Sequence, residues 1–328
     1  MPTRELMVRD AICEALNEEM ARDDSVFIMG EDVGIIGGNF KCTVGLRDKY
    51  GDLRCKDSPI CESGIVGLGV GAALVGMRPV IELMFSDFIM VAMDQVCNQA
   101  AKITYMSGGQ VKVPLVIRTP LGGGRSSAAQ HSQSFHAWMA RCPGLKVVLP
   151  STAGEAKGLL KTAIRDNNPV VFFEHKMLYT TKFNDVLDEK DDVCIPFGKA
   201  RLVTEGKDIT VVASSLMAIK AEKAVKSLQS EGISAELIDL RTIVPMDTQA
   251  IIRSVEKTGR LLIVDEGHVS FGISGEIAAR IMPEVFYSLE APIGRLGTAD
   301  VPLPFSPALE FPLIPDENKI ADKIREML

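Results

Sequence analysis

The chain has 328 residues, a formal net charge of -7, 46% hydrophobic and 24% charged residues, and a mean hydropathy of +0.15. That length fits two ordinary domains with large cores, and the composition excludes extended disorder. The acid excess, with a pI near 5.3, excludes a polyanion-binding face, so nucleic acid is not an expected partner.

Leu6, Val8, Ala11, Ile12, Ala15, Leu16 and Met20 recur at helical spacing and predict an opening helix. Acids run through this stretch, which argues against a signal or transit peptide. The apolar run of SVFIMGED (25–32) predicts a strand ending in acids. After the glycine-rich stretch SPICESGIVGLGVGAALVG (58–76) come a strand in PVIELMF (79–85), a helix over roughly 87–105 and strands in VPLVIRTP (113–120) and LKVVLPS (145–151). A helix over 152–165 and a strand in PVVFFEH (169–175) complete the series. Continuous apolar strands alternating with helices predict an α/β fold whose parallel sheet is covered on both faces.

The polar segment KMLYTTKFNDVLDEKDDVCIPF (176–197) breaks this rhythm, and the domain boundary is placed inside it, giving domains of 1–185 and 186–328. The second α/β unit has strands in DITVVAS (208–214), SAELIDL (234–240), RLLIVDE (260–266) and PIGRLG (292–297). Helices fall near 216–230, 247–257 and 274–286, and a proline-rich excursion, DVPLPFSPALEFPLIP, precedes a closing helix with an acidic first turn. No apolar run reaches the length of a membrane span. Seven cysteines, odd in number and without a CxxC pair, fit reduced thiols in a cytoplasmic protein.

Glu62 stands at the mouth of an almost wholly apolar stretch, and a carboxylate so placed needs a partner. It reads either as a capping group for the helix it precedes or as a catalytic or cofactor-contacting acid. Gly67, Gly69 and Ala72 satisfy the dinucleotide-binding pattern, with Glu82 as its acid, but the strand that should lead into that pattern is missing. The competing reading is a helix whose glycines allow close approach of a neighbour.

GGGRSSAAQHSQSFHAWMARCPG (122–144) is a long glycine- and serine-rich loop leaving an apolar strand, where α/β proteins place their sites. His131 is a candidate catalytic or substrate-binding group there, and His136 reads as structural. Their spacing of five, with no nearby Cys or carboxylate, does not make a zinc set, and no GxSxG elbow marks a nucleophilic serine. Phe85 and Phe88 read first as core, and AIRDNNPV (163–170) reads as a helix end and turn whose carbonyls could also hold a cation.

Taken in order, GEDVG, SPICESGIVGLGVGAALVGMRPVIE, DQVCNQAAKITYMSGGQ, AAQHSQSFHAW, PGLKVV, AKGLLKTAIRDNNPVVFFEHK, DLRTIVPMD and DVPLPFSP span the whole chain. With these, the chain resembles the beta subunit of the thiamin-diphosphate-dependent dehydrogenase component of 2-oxo acid and acetoin dehydrogenase complexes. The resemblance implies a pyrimidine-binding domain followed by a transketolase C-terminal-like domain, in an α2β2 heterotetramer that serves a lipoyl-bearing acyltransferase. It implies that Glu62 shares a proton with the ring nitrogen of the cofactor's aminopyrimidine, that Phe88 stacks on that ring with Met84 nearby, and that His131 acts on substrate or on the incoming lipoyl group. Leu115, Ala163, Ile164, Asp166 and Asn168 match positions that in some relatives hold a potassium ion, mainly through carbonyls.

Relatives that hold the diphosphate through Mg²⁺ carry GDG followed some thirty residues later by NN. This chain has only GDL (51–53) and an unconnected DNN (166–168), so an alpha subunit is expected to supply those contacts. Val91 stands where some pyruvate-specific relatives carry glutamine, and ELMFSDF with YMSGGQVKVPLV resembles the acetoin-cleaving members, which tilts the substrate toward acetoin, with pyruvate and branched-chain 2-oxo acids as alternatives. Two rival readings remain open on the residues, an NAD-binding dehydrogenase and a non-catalytic scaffold subunit.

Overall fold

The computed structural model describes residues 3–187 and 192–328, which fall into two compact units. The first contains the described residues up to Leu121 and those from Trp138 to Phe197; the second contains Gly122–Ala137 and Gly198–Leu328. The boundary expected between residues 185 and 186 thus lies within the first unit's portion of the chain, and part of the long serine-rich loop groups with the second. Residues 188–191 of the expected boundary segment lie outside the described residues.

In the first unit, β1 (Thr3–Met7) leads into α1 (Val8–Arg22), followed by β2 (Val26–Gly30), α2 (Leu46–Tyr50) and β3 (Cys55–Asp57). Then come α3 (Glu62–Leu74), β4 (Arg78–Glu82), α4 (Ile103–Met106), β5 (Val116–Leu121) and α5 (His136–Ala140), whose first two residues group with the second unit. The series ends with β6 (Lys146–Val148), α6 (Ala153–Arg165), β7 (Val170–His175) and β8 (Lys182–Leu187). Within this unit six parallel strands run in the order β6-β7-β5-β4-β2-β3. β2, β5 and β7 are buried along their whole length, as a sheet covered on both faces requires, and the polar residues of β5 and β7, Arg118 and Glu174, pair with each other. β1 and β8 form a separate antiparallel pair.

Local chemistry fixes the helices. Thr152 caps α6 by accepting from Glu155 N at 3.3 Å, and Glu155 reaches back to accept from Ser151 N at 2.9 Å. On α1, Glu14, Glu18 and Glu19 face Lys157, Lys161 and Arg165 of α6 in ion pairs such as Lys161–Glu18 at 2.6 Å. The stretch 87–105, expected as one helix, is instead a 3-10 turn (Ser86–Ala92), a π-helical turn (Asp94–Ala100) and then α4. Within this stretch Ser63 Oγ of α3 donates to the carbonyl of Val91 at 2.5 Å, a partner outside the helix ladder.

The glycine run lies in the interior of α3 rather than in a strand-to-helix turn, so the dinucleotide reading loses its geometry. Gly69 is where the sheet comes closest: a Cβ there would stand 2.7 Å from Ile81 Cγ1 and 3.0 Å from Leu115 Cδ1. We expect Gly69→Ala to lower stability by about 1–2 kcal/mol, because overpacking outweighs the gain in helix propensity. Urea unfolding measures this, and an unchanged or raised midpoint would show that α3 can withdraw from the sheet.

The second unit has β9 (Arg201–Thr204), β10 (Ile209–Ala213), α7 (Ser215–Leu228), β11 (Ala235–Asp239), β12 (Thr242–Val244) and α8 (Thr248–Thr258). It continues through β13 (Leu261–His268), α9 (Ile273–Val285), β14 (Gly294–Thr298), α10 (Pro307–Glu310) and α11 (Glu317–Met327). Its five-stranded sheet has the order β14-β13-β10-β11-β9, parallel except for β9. The core packs Val211, Leu237, Ala221, Val225, Ile320 and Ile324 between sheet and helices. Asp247 and Asp316 cap α8 and α11 through the amides of Ala250 and Lys319. Among the described residues, no helix is long and apolar enough to cross a membrane.

Candidate active site

In a parallel sheet, side chains just past the carboxyl ends of the strands share one rim, where α/β proteins bind ligands. On the first unit's rim stand Glu31 after β2, Glu82 at the end of β4 with Met84, Phe85 and Phe88 beyond it, and Glu174 in β7. Glu62 opens α3, the helix that follows β3. The bond from Ser63 to Val91 ties the start of α3, where Glu62 stands, to the 3-10 turn that carries Phe88.

Glu62 is 7% exposed. Among the described residues, no hydrogen bond or ion pair engages its carboxylate, and its helix carries no side-chain cap, so it is not spent on capping. Beside it stands Glu31, which sequence reasoning did not single out. Glu31 is buried, its Oε1 has no partner, and its carboxyl is held above the usual range by burial and by the charges of Glu62, Asp32 and Glu82. Two neighbouring buried acids with unused acceptor positions suit a ligand that offers a nitrogen to share a proton, and the half-buried ring of Phe88 stands on the same rim.

Behind this rim lies Arg118, 1% exposed. Its Nη1 donates to Glu82 at 2.8 Å, while Nε and Nη2 donate to the two oxygens of Glu174 at 2.7 and 2.8 Å. Burial pushes the Glu82 carboxyl up against the opposing effect of Arg118. Burial opposes the charge on Arg118, but Glu174 and Glu82 outweigh it and keep the guanidinium firmly protonated.

His131 belongs to the second unit, at the end of a 3-10 turn (Ala129–His131), half-buried. The loop around it is held by two buried acids that sequence reasoning missed. Gly123 N donates to Glu266 at 2.6 Å, and the amides of Gly124 and Ser126 donate to Glu310, each at 2.8 Å. Ser126 and Ala128 carry φ of 55° and 61°, a conformation that costs energy in non-glycine residues and persists because these contacts over-determine it. A cavity of about 660 Å³ opens beside the turn, lined by Gln130, Ser132, Gln133, His268, Ser270 and Asp300 among others.

His136 is structural: it is 1% exposed, and its Nε2 lies 3.0 Å from Asp265. Burial lowers its proton affinity, but Asp265 outweighs burial and raises it above the ordinary imidazole value. A raised folded pKa stabilises the protein fully below the unfolded value of about 6.5, and that contribution is lost as pH rises through the folded pKa. The urea midpoint is therefore expected to fall as pH climbs above about 6.5, and His136→Gln should flatten that slope. An equally steep slope in the variant would assign the titration elsewhere.

Leu115, Ala163, Ile164, Asp166 and Asn168 gather at the end of α6 and the turn into β7, where several of their oxygens already accept hydrogen bonds. Arg78 Nη1 reaches the carbonyls of Ile164 and Asp166 at 2.9 and 3.0 Å, and Leu115 O accepts from Val170 N at 2.8 Å. The Asp166 carboxylate takes Lys146 and both nitrogens of Asn168. Of the motif fragments, Asp52 pairs with Arg47 at 2.6 Å, far along the chain from this turn.

Two family models match the chain: the transketolase pyrimidine-binding domain over residues 4–182 and the transketolase C-terminal domain over 198–320. The chain is 50% identical to the pyruvate dehydrogenase E1 component subunit beta of Dictyostelium discoideum, over 94% of this chain and 87% of that one. It is 46% identical to the 2-oxoisovalerate dehydrogenase subunit beta of Bacillus subtilis (strain 168), over 97% of each. The chain belongs to the beta-subunit family of thiamin-dependent 2-oxo acid dehydrogenases.

The Arabidopsis thaliana mitochondrial pyruvate dehydrogenase E1 subunit beta-1 is a further relative, at 48% identity over 97% of this chain and 88% of its own. A solved structure titled as a split-gene transketolase, an inactive beta4 tetramer, superposes with a TM-score of 0.78 at 24% identity and 98% coverage of both chains, which bears out the two-domain α/β fold. The residues matched by the pyrimidine-binding model include Glu62, which is buried and has no hydrogen-bond or ion-pair partner among the described residues, and Phe88, which is half-buried.

Proposed function

We propose that this chain is the beta subunit of a thiamin-diphosphate-dependent dehydrogenase. Together with an alpha subunit it would take a two-carbon acyl unit from acetoin or pyruvate and pass it to the lipoyl group of an acyltransferase. The observation that carries this reading is Glu62, buried at the start of α3 with no hydrogen-bond or ion-pair partner among the described residues. Thiamin diphosphate, when bound, supplies the electron sink for breaking a bond next to a carbonyl.

The chain's own residues supply position and proton control. Glu62 holds a proton at a carboxylate oxygen and shares it with a ring nitrogen of the pyrimidine. Phe88 presents its face to that ring, with Met84 beside it. His131 binds substrate or the incoming lipoyl group. Glu31 keeps a second buried acid next to Glu62, and exclusion of water from both carboxyls strengthens the hydrogen bond that Glu62 can make.

An alpha subunit in an α2β2 assembly would hold the diphosphate and Mg²⁺. This is supported by the fragmentary GDL and DNN, whose acids are already engaged by Arg47 and Lys146. Potassium would have to share the carbonyls of Ile164 and Asp166 with Arg78; a melting temperature raised by KCl over choline chloride would assign it, and coincident melting would remove it. The reading places the chain in the cytoplasm, supported by seven free cysteines among the described residues.

The named relatives act, by their titles, on pyruvate and 2-oxoisovalerate, whereas Val91, 58% exposed at the end of the Phe88 turn, supports the tilt toward acetoin. Reduction of an artificial electron acceptor by the chain with its alpha partner, thiamin diphosphate and Mg²⁺ tests this. Acetoin or pyruvate is expected to exceed 2-oxoisovalerate in kcat/KM by about tenfold or more, the range that a few apolar pocket contacts provide. Preference for 2-oxoisovalerate would overturn the two-carbon reading and leave the family assignment standing.

A further inference from the structure

Phe88 sits on a 3-10 turn that passes into a π-helical turn, where backbone hydrogen bonding is poorer than in an α-helix. Its ring is met by the side chain of Phe85. Phe85 meets Phe88 edge-on, with ring centroids 6.0 Å apart and planes at 87°. Phe40, from the loop after β2, meets Phe85 edge-on at 5.9 Å and 81°. Tyr179, beyond β7, stacks on Phe40 at 4.6 Å and 24°. These four rings come from three separate stretches of chain.

The two ends of the series differ. Phe40, Phe85 and Phe88 are half-buried, while Tyr179 is 3% exposed. Its hydroxyl donates to Glu174 Oε2 at 2.7 Å, the same carboxylate that Arg118 grips with two nitrogens. The Phe40 loop is seated on this network as well, since a Cβ on Gly38 would lie 3.2 Å from Glu82 Oε1. Lys176 Nζ stands 5.4 Å from the centre of the Phe85 ring. A purely apolar core would need neither the charged anchor nor an open end on the rim.

We propose that Tyr179 is a positioning residue for Phe88: anchored through its hydroxyl to the buried Glu174–Arg118–Glu82 network, it sets, through Phe40 and Phe85, the plane on which a flat heteroaromatic cofactor ring lies. The inference rests on the reading of Phe88 as the stacking residue. Aromatic pairs have preferred geometries, and each contributes beyond its buried area, so loss of one ring lets the next reorient.

The test is calorimetric titration of thiamin diphosphate with Mg²⁺ into the complete complex with the alpha partner. Tyr179→Leu and Phe40→Leu should each raise Kd by about fivefold to tenfold, with the double variant little worse than either single one. Tyr179→Phe keeps the stack and loses only the anchor, so its rise should be smaller, about threefold. At saturating cofactor, kcat should fall less than Kd rises, a split that general destabilisation would not produce. Phe40, half-buried and outside the charged network, carries the test if Tyr179→Leu fails to fold. Wild-type Kd in Phe40→Leu, while Phe88→Leu binds weakly, would overturn the inference alone. Unchanged binding in Phe88→Leu would overturn the stacking reading and the inference with it.

Discussion

Glu62→Gln is expected to cut turnover of the complex with its alpha partner by about 10²- to 10⁴-fold, the range supplied by a positioned proton carrier. Assembly and melting temperature should stay close to those of the parent. The contrast follows from the site: among the described residues no hydrogen bond or ion pair depends on the carboxylate, so an isosteric amide breaks nothing. It also removes a like charge from beside Glu31. Steady-state rates and size-exclusion profiles measured on one preparation check both halves. Turnover at the parent's level would favour the scaffold reading, in which this subunit only holds its partners together.

Arg118→Met should cost about 3–5 kcal/mol of stability, the largest structural effect expected of any single change in the chain. The substitution fills much of the volume but leaves Glu82 and Glu174 buried and facing each other without a counter-charge, while Tyr179 keeps only one of them as partner. Protonation relieves the repulsion, so the variant should recover part of its stability at low pH. Adding Glu174→Gln to Arg118→Met should recover part of the loss at neutral pH, because one of the two stranded charges is gone. Urea unfolding of the four proteins of this cycle measures the coupling. Independent, additive effects would mean that water or local rearrangement already neutralises the acids.

Long apolar runs made most of the fold legible. VFIMG, VIRTPL and VVFFEH could be read as buried strands because a sheet covered on both faces leaves no alternation to interpret. β1 and β8 escaped because TRELM and KFNDVL are partly exposed along their length and polar at many positions. β9 was missed for the same reason, as a short antiparallel edge. The helix expected over 87–105 is instead a 3-10 turn followed by a π-helical turn, and a bond from a distant residue, Ser63 to the carbonyl of Val91, falls within this stretch, where periodicity cannot register it.

The candidate site was legible where one residue is out of place for its surroundings. Glu62 stood out as a lone acid before an apolar helix, whereas Glu31 sits within GED, where a second acid makes it look like an ordinary solvated charge. Arg118 lay in plain view inside VIRTPL, and a charge within a central strand is a signal that should prompt a search for buried carboxylates. Glu266 and Glu310 could not be found this way: they meet the His131 loop across more than 140 residues of sequence. Nothing local in DEG or ALEF marks an acid whose partners are backbone amides.

The central claim is that this chain carries one half of a cofactor site and needs an alpha subunit for the other. Titrating thiamin diphosphate with Mg²⁺ into the chain alone, and then into the complex with its alpha partner, measures it directly. Heat of binding is expected only from the complex, at one cofactor per beta chain. Stoichiometric binding by the chain alone would contradict the account, because the diphosphate would then be held by residues of this polypeptide.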